Sequence, residues 1–327
     1  MIMIEDMNER DNWKSYMKVK ELKSTEFEKF VMKCCRMEEY NLRPWLKKLL
    51  INAGFSIKED NYKSIRGGKF ENIPNMLATR GVNPKVALAC HTDVCREYGW
   101  KANSKSKVDP VLIERRAKYP EDKLVRIITD RTGMTQVGGD DRCGCAINTY
   151  IALNSGYPLS LLYFTDEESG CLSSSECEFD ELSSFSLVIQ TDRGHPTEDQ
   201  LVVKIGGTQL CSKPMAERLL AIAHNIGFPR NSINGLMTDV LSLRRANKVS
   251  EAVNMTVGYS NNHQDNEFIF SHKAEEAMKY VSAIIKDFEM ESINEIEGVS
   301  DQEEENDKSL DNDTMEKWKS PTWQEYA

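Results

Sequence analysis

Four short apolar runs constrain the fold of this 327-residue chain, because each closes on or near a side chain able to hold a metal ion. Lys85 to Cys90 runs into His91-Thr92-Asp93. Leu161 to Phe164 is followed by Asp166-Glu167-Glu168-Ser169-Gly170. Leu187 to Gln190 leads to Asp192, and Ala252 to Val257 precedes His263 by a few residues. Runs this short and this apolar read as buried strands. In open α/β sheets, ligands bind beyond the carboxyl ends of the strands. The runs therefore predict an α/β fold with one shared site at those ends.

A fifth stretch joins them. Gln136-Val137-Gly138-Gly139-Asp140-Asp141-Arg142-Cys143-Gly144-Cys145 leads into Ala146 to Leu153, a mostly apolar run read as a helix. Adjacent carboxylates both stay ionised only with positive charge between or beside them. Taken alone, the stretch reads first as a Gly-Gly turn feeding an Asp helix cap, a common arrangement. The four strand ends reverse that preference, since chance hardly supplies five such sets in one chain.

In this order the motifs resemble those of the co-catalytic di-zinc exopeptidases, a superfamily that includes peptidase T, the deblocking aminopeptidases and related deacylases. Its signature is His-x-Asp, Gly-x-Asp-Asp-x-x-Gly, Glu-Glu, Asp and a late His. Here these are His91-Thr92-Asp93, Gly138 to Gly144, Glu167-Glu168, Asp192 and His263, within about residues 20 to 290. The resemblance implies a mixed, mostly parallel central sheet flanked by helices. It implies two divalent metal ions per chain, bridged by Asp140, with zinc first and cobalt or manganese as substitutes. His91 and Asp192 would complete one site, Glu168 and His263 the other. Glu167 would be the general base, Asp93 would orient the His91 imidazole, and the Asp140–Asp141 peptide would often be cis. The implied substrate is a peptide or an acylated amino acid. Aminopeptidase comes first, because the Gly-Asp-Asp and Glu-Glu-Ser-Gly forms look closest to aminopeptidases. Carboxypeptidase or N-acyl amino acid deacylase follows on the same site. Single-zinc cyclising acyltransferases and inactive binding proteins share the fold, and the complete ligand set argues against both.

Other features narrow the class. The chain's length suits one large α/β domain or two small ones, at roughly 100–200 residues per domain. No apolar run approaches the ~20 residues of a membrane span, and the start Met-Ile-Met-Ile-Glu-Asp has no apolar signal core, so a soluble, cytoplasmic protein without membrane association is expected. Nine cysteines, an odd number with no Cys-x-x-Cys pair, argue against a disulfide framework. Cys143 and Cys145 point apart on a helix and read as packing residues. Ten acids against the single base Lys308 between Glu295 and Glu316 account for most of the net charge of −10. The remaining body is nearly neutral and shows no basic face for nucleic acid.

Along the chain, residues 1–18 read as an N-terminal extension, 19–290 as the catalytic domain and 291–327 as an acidic tail with the composition of disorder. Trp318, Trp323 and Tyr326 could dock, but a solvated tail is the preferred reading. Ser24 to Glu28 predicts a capping-box helix start, Pro44 the opening of a second helix, and Ile57 to Leu77 a hairpin turning at Gly67-Gly68. Strand-like pieces lie at Val111 to Ile113 and Leu124 to Ile128. Val202 to Leu210, a helix from Met215 to Ile226 and Gly235 to Leu243 nearly fill the 71 positions from Asp192 to His263, leaving no room for a separate lid domain. A helix from Lys273 to Met290 closes the domain. His195, His224 and His272 match no motif and read as surface or packing residues. Asp239 reads equally as a pocket residue or a turn carboxylate, Arg193 as a structural ion pair, and Asp265 and Glu267 as flanks that orient His263.

Overall fold

Strand alternation explains the architecture. Along the strand Val86–His91, Val86, Leu88 and Cys90 point into one apolar layer, while Ala87 and Ala89 point into a second. A strand buried on both faces needs helices on both. The structure, a computed structural model, describes residues 22–66, 69–98, 107–116, 124–133, 135–194 and 198–297. Its strands are β1 (Ser56–Glu59), β2 (Ser64–Arg66), β3 (Lys69–Glu71), β4 (Met76–Arg80), β5 (Val86–His91), β6 (Pro110–Arg116), β7 (Leu124–Asp130), β8 (Leu159–Phe164), β9 (Leu187–Arg193), β10 (Gln200–Ile205), β11 (Thr208–Gln209), β12 (Asn231–Gly235), β13 (Ala252–Thr256), β14 (Tyr259–Ser260) and β15 (Phe268–Phe270). Its helices are α1 (Glu26–Arg36), α2 (Glu39–Asn52), α3 (Gly139–Asn154), α4 (Leu172–Glu176), α5 (Lys213–Asn225), α6 (Asp239–Arg245) and α7 (Ser271–Glu297).

The main sheet has the order β1-β4-β8-β5-β9-β13-β10-β11, with β12 also pairing β10. Its centre, β8-β5-β9-β13, is parallel, and antiparallel β4 and β10 flank it. The central sheet is thus mixed and mostly parallel at its core, as expected. One face packs on α1, α2, α3, α5 and α7, and the other on the Phe179 to Phe185 segment and α6. The gap before Asp140 holds β6 and β7, which join β14 and β15 in a second, four-stranded sheet. The gap after Asp192 joins the main sheet, so among the described residues neither gap holds a separate lid. No helix among them is long and apolar enough to cross a membrane.

Local signals mostly held. Thr25 caps α1 with a full capping box: its hydroxyl accepts from the Glu28 N–H (3.1 Å), and Glu28 accepts from the Thr25 N–H (2.7 Å). Glu28 also accepts from Arg126 on β7 (2.6 Å) and from the Ser271 hydroxyl that opens α7 (2.6 Å). Pro44 does not open α2; it lies inside a helix that begins at Glu39. The carbonyl it leaves without an N–H partner is that of Tyr40, a solvent-facing residue, which makes the proline tolerable there. Helix α7 runs to Glu297, past the Met290 at which its apolar face was expected to end. Ala277, Val281, Ile284, Ile285 and Phe288 are all buried on that face, each large side chain contributing ~1.5–3 kcal/mol by burial. The Gly67-Gly68 turn, His195, residues 1–18 and the aromatic tail lie outside the described residues.

Candidate metal centre

Register brings the ligand candidates to one edge. In the parallel β5–β8 pair His91 stands opposite Phe164, one residue before the loop that carries Glu167 and Glu168. In the β5–β9 pair Ala89 stands opposite Gln190, so Asp192 emerges at the same level. Asp140 and Asp141 sit at the head of α3 in non-helical conformations (φ −88°, ψ 102° and φ −117°, ψ 38°), joined by a cis peptide. His263 comes from the turn after β14, at φ 62°.

The structure brings all seven predicted site residues together. Asp140 is central: its Oδ1 lies 3.1 Å from His91 Nε2, and its Oδ2 lies 3.1 Å from His263 Nε2. Asp192 Oδ1 is 3.5 Å and Glu167 Oε2 3.9 Å from His91 Nε2. Glu168 Oε2 is 3.0 Å from His263 Nε2. Asp93 does more than face His91, whose Nδ1 lies 3.0 Å from its carbonyl and 3.4 Å from its carboxylate. The same carboxylate accepts from the Glu167 N–H (3.3 Å), the Glu168 N–H (3.1 Å) and the Tyr98 hydroxyl (2.8 Å). One side chain therefore positions both an imidazole and the Glu-Glu loop.

Electrostatics fit a cation site. Burial raises Glu167 and Asp192, and neighbouring carboxylates add to it; Asp192 reaches about 7. Burial would raise Asp140 too, but bonds to His263 and His91 hold it well below the ordinary range. Burial opposes charge on His91, yet the Asp192 and Asp140 carboxylates push the imidazole up. So many buried carboxylates remain anionic only with positive charge among them. Two donor groups, His91/Asp140/Asp192 and Cys95/Glu168/His263, each gather their ligand atoms within 4.8 Å. Imidazole with carboxylate is a set that divalent transition metals accept, so the residues fit a metal.

Several surrounding residues take roles that the sequence did not show. Glu267 was expected to flank and orient His263. It is instead buried against the head of α3, accepting from the Gly138 N–H (2.6 Å) and the Asp140 N–H (3.2 Å). Burial and the Asp140 charge push it to about 8 against those bonds. Asp141 turns from the centre, accepting from the His91 N–H (3.3 Å) and the Gly144 N–H (2.9 Å). Gly144 is required there, because a Cβ would lie 2.1 Å from the Thr191 carbonyl oxygen. Asp239 is buried at the start of α6, where it shares the Gln190 amide with Asp192 (3.0 and 3.2 Å). Arg193 donates to Gln200 Oε1 (2.7 Å), a neutral partner where an ion pair was expected. His224 and His272 are exposed, away from the centre. Cys143 and Cys145 face backbone carbonyls.

Sheet order and helix placement give a mixed, mostly parallel α/β fold consistent with zinc exopeptidase-like folds. Among solved structures the chain is similar to aminopeptidase PepT from Bacillus cereus ATCC 10987, with TM-score 0.62 and 14% identity over 79% of this chain and 97% of that one. A tripeptidase from Staphylococcus aureus subsp. aureus Mu50 gives TM-score 0.62 and 15% identity over 80% and 97%. Glutaminyl cyclase from Porphyromonas gingivalis gives 0.53 and 15% over 83% and 100%. At such identities the likeness carries the fold. No protein-family model and no curated protein matches the chain.

Proposed function

We propose that the chain is a metal-dependent exopeptidase, an aminopeptidase first, acting at a centre for two divalent ions. The observation that carries this is Asp140, whose two oxygens each face a different imidazole at 3.1 Å, the disposition of a bridging ligand. On this reading His91 and Asp192 hold one ion, and Glu168 and His263 the other. Zinc suits the set best, with cobalt or manganese as substitutes. Such ions polarise a scissile carbonyl and make water acidic enough to attack near neutral pH.

The chain's own residues do the rest. Glu167 Oε2 lies 3.9 Å from His91 Nε2, with its side chain 15% exposed, so substrate and water can reach it. It takes the proton of the attacking water and delivers it to the leaving nitrogen as the C–N bond breaks. Asp93 holds the Glu167 and Glu168 backbone so that neighbouring carboxylates serve different tasks. The Gly-Asp-Asp and Glu-Glu-Ser-Gly forms, which look closest to those of aminopeptidases, support aminopeptidase over carboxypeptidase or N-acyl amino acid deacylase. Residues 19–290 take in every proposed ligand. All nine cysteines are free, which supports a reducing, cytoplasmic location.

The likeness to a glutaminyl cyclase favours a second reading, a cyclising acyltransferase with one zinc. Metal content measured beside turnover separates the two. Stripped protein titrated with zinc, cobalt or manganese should take up two ions per chain and hydrolyse free dipeptides faster than N-blocked ones. One ion with cyclisation of N-terminal glutamine would establish the second reading instead, and no uptake would overturn both.

A further inference from the structure

The sequence drew attention to Cys143 and Cys145, but a different cysteine reaches the centre. Cys95 opens the 3-10 turn Cys95–Tyr98 that follows directly on His91-Thr92-Asp93-Val94. Its Sγ lies 2.9 Å from Glu168 Oε2, and its backbone N–H donates to Glu168 Oε1 at 3.2 Å. Cys95, Glu168 and His263 offer a sulfur, an oxygen and a nitrogen, all within 4.8 Å of one another. The residue is buried, only 8% exposed. Its turn is fastened on both sides: Tyr98 donates to Asp93, and Arg142 pairs with Glu97 at 2.7 Å. The thiol is thus held in place rather than presented on a loose loop. Cys171 makes the contrast, meeting Glu167 at 3.4 Å and belonging to neither donor group among the described residues.

We propose that Cys95 is a metal ligand, supplying a thiolate to the Glu168/His263 half of the centre. This rests on the two-ion reading above and specifies its chemistry. One half of the centre is then His-Asp-Asp, the other Cys-His-Glu, with Asp140 shared between them. Forming the sulfur–metal bond releases the thiol proton to solvent, so uptake at this half liberates one proton beyond any the imidazole gives up. Burial and the Glu168 charge push the free thiol up to about 12, but a divalent cation deprotonates a thiol that coordinates it. Thiolate is a soft ligand that selects zinc over manganese, whereas carboxylate accommodates manganese. The two halves therefore differ in metal preference, which the symmetrical set of imidazoles and carboxylates would not produce.

The test is optical and needs no turnover. Full-length protein, stripped and loaded with cobalt(II), should show a sulfur-to-cobalt charge-transfer band in the near ultraviolet at a content of two ions per chain. Cys95→Ser should abolish the band and weaken one of the two ions by at least ~10–100-fold, the loss that even an outer partner of a ligand causes. Cys171→Ser should keep the band. A wild-type protein that binds two cobalt ions without the band, or a band that survives Cys95→Ser, overturns the assignment and leaves the exopeptidase reading intact. Should Cys95→Ser fold poorly, Cys95→Ala takes its place, and a wild-type protein that binds two cobalt ions without the band still overturns the assignment. Absence of all cobalt binding would instead sink the two-ion reading itself.

Discussion

Asp140 gives the sharpest test of the centre, because it touches both halves. Its Oδ1 and Oδ2 each face one imidazole, so Asp140→Asn removes a charged ligand from two sites, whereas Asp192→Asn removes one from a single site. With zinc at a thousand times each dissociation constant, each filled site stabilises the folded state by about 4 kcal/mol, or about 8 for two. A site weakened ~100-fold keeps about 1.4 kcal/mol. Asp192→Asn should then retain about 5.5 kcal/mol of zinc-induced stability, and Asp140→Asn only about 3. At ~2–4 °C per kcal/mol, a thermal-shift assay resolves these steps. Taking each variant's melting temperature with and without zinc cancels any effect of the substitution on the stripped protein. Equal shifts for Asp140→Asn and wild type would refute the bridging role. If Asp141→Asn lost the shift while Asp140→Asn kept it, the two neighbours would have exchanged roles, contrary to the bonds Asp141 makes to His91 and Gly144.

Other outcomes follow from single residues. Glu167→Gln should leave metal content unchanged but reduce kcat by ~10²–10⁴-fold; near-normal turnover would remove Glu167 from proton transfer. Gly144→Ala should cost roughly 3 kcal/mol, because its Cβ would meet the Thr191 carbonyl oxygen at 2.1 Å and Asp141 Oδ1 at 2.4 Å, and an unchanged melting temperature would show that the backbone gives way there. Glu28→Gln should cost about 1–2 kcal/mol, discounted because Arg126 is 38% exposed. Burial opposes the Glu28 charge, but Arg126, Ser271 and the Thr25 N–H together hold its carboxyl below the ordinary 4.5. Its contribution should therefore be full above pH 4.5 and vanish as pH falls through the lowered value. Denaturant midpoints of the two proteins that fail to converge in acid would contradict this.

Much of this was legible because its signals are periodic or chemical. Val86 to Cys90 alternates between two apolar layers, and His91 ends it with a ligand type, so strand and site announce each other. Glu167-Glu168, Asp192 and His263 were legible in the same way. Glu267 was not, since it acts on backbone N–H groups, which carry no residue identity. Cys95 stands in a short 3-10 turn without period or spacing, and only the meeting with Glu168 and His263 marks it. Pro44 misled because its ring suits a first helical turn as well as an exposed interior position. Strand β12 (Asn-Ser-Ile-Asn-Gly) lies at an edge of the sheet and is mostly polar, so no hydrophobic pattern betrays it.

Glu28 sets a schedule for the making of this protein. Its carboxylate is completed by Ser271, 243 residues further along. At ~5–20 residues per second, a ribosome delivers that partner roughly 12–50 s after Glu28 itself. Until then the chain carries a helix whose most buried acid lacks its last bond. Strand β7, which holds Arg126, waits as long for β15 to cover its open side. The first helix of the described body gains its last bond only when the last helix begins, so a nascent chain stalled before residue 271 should expose both the acid and the strand edge to whatever attends it.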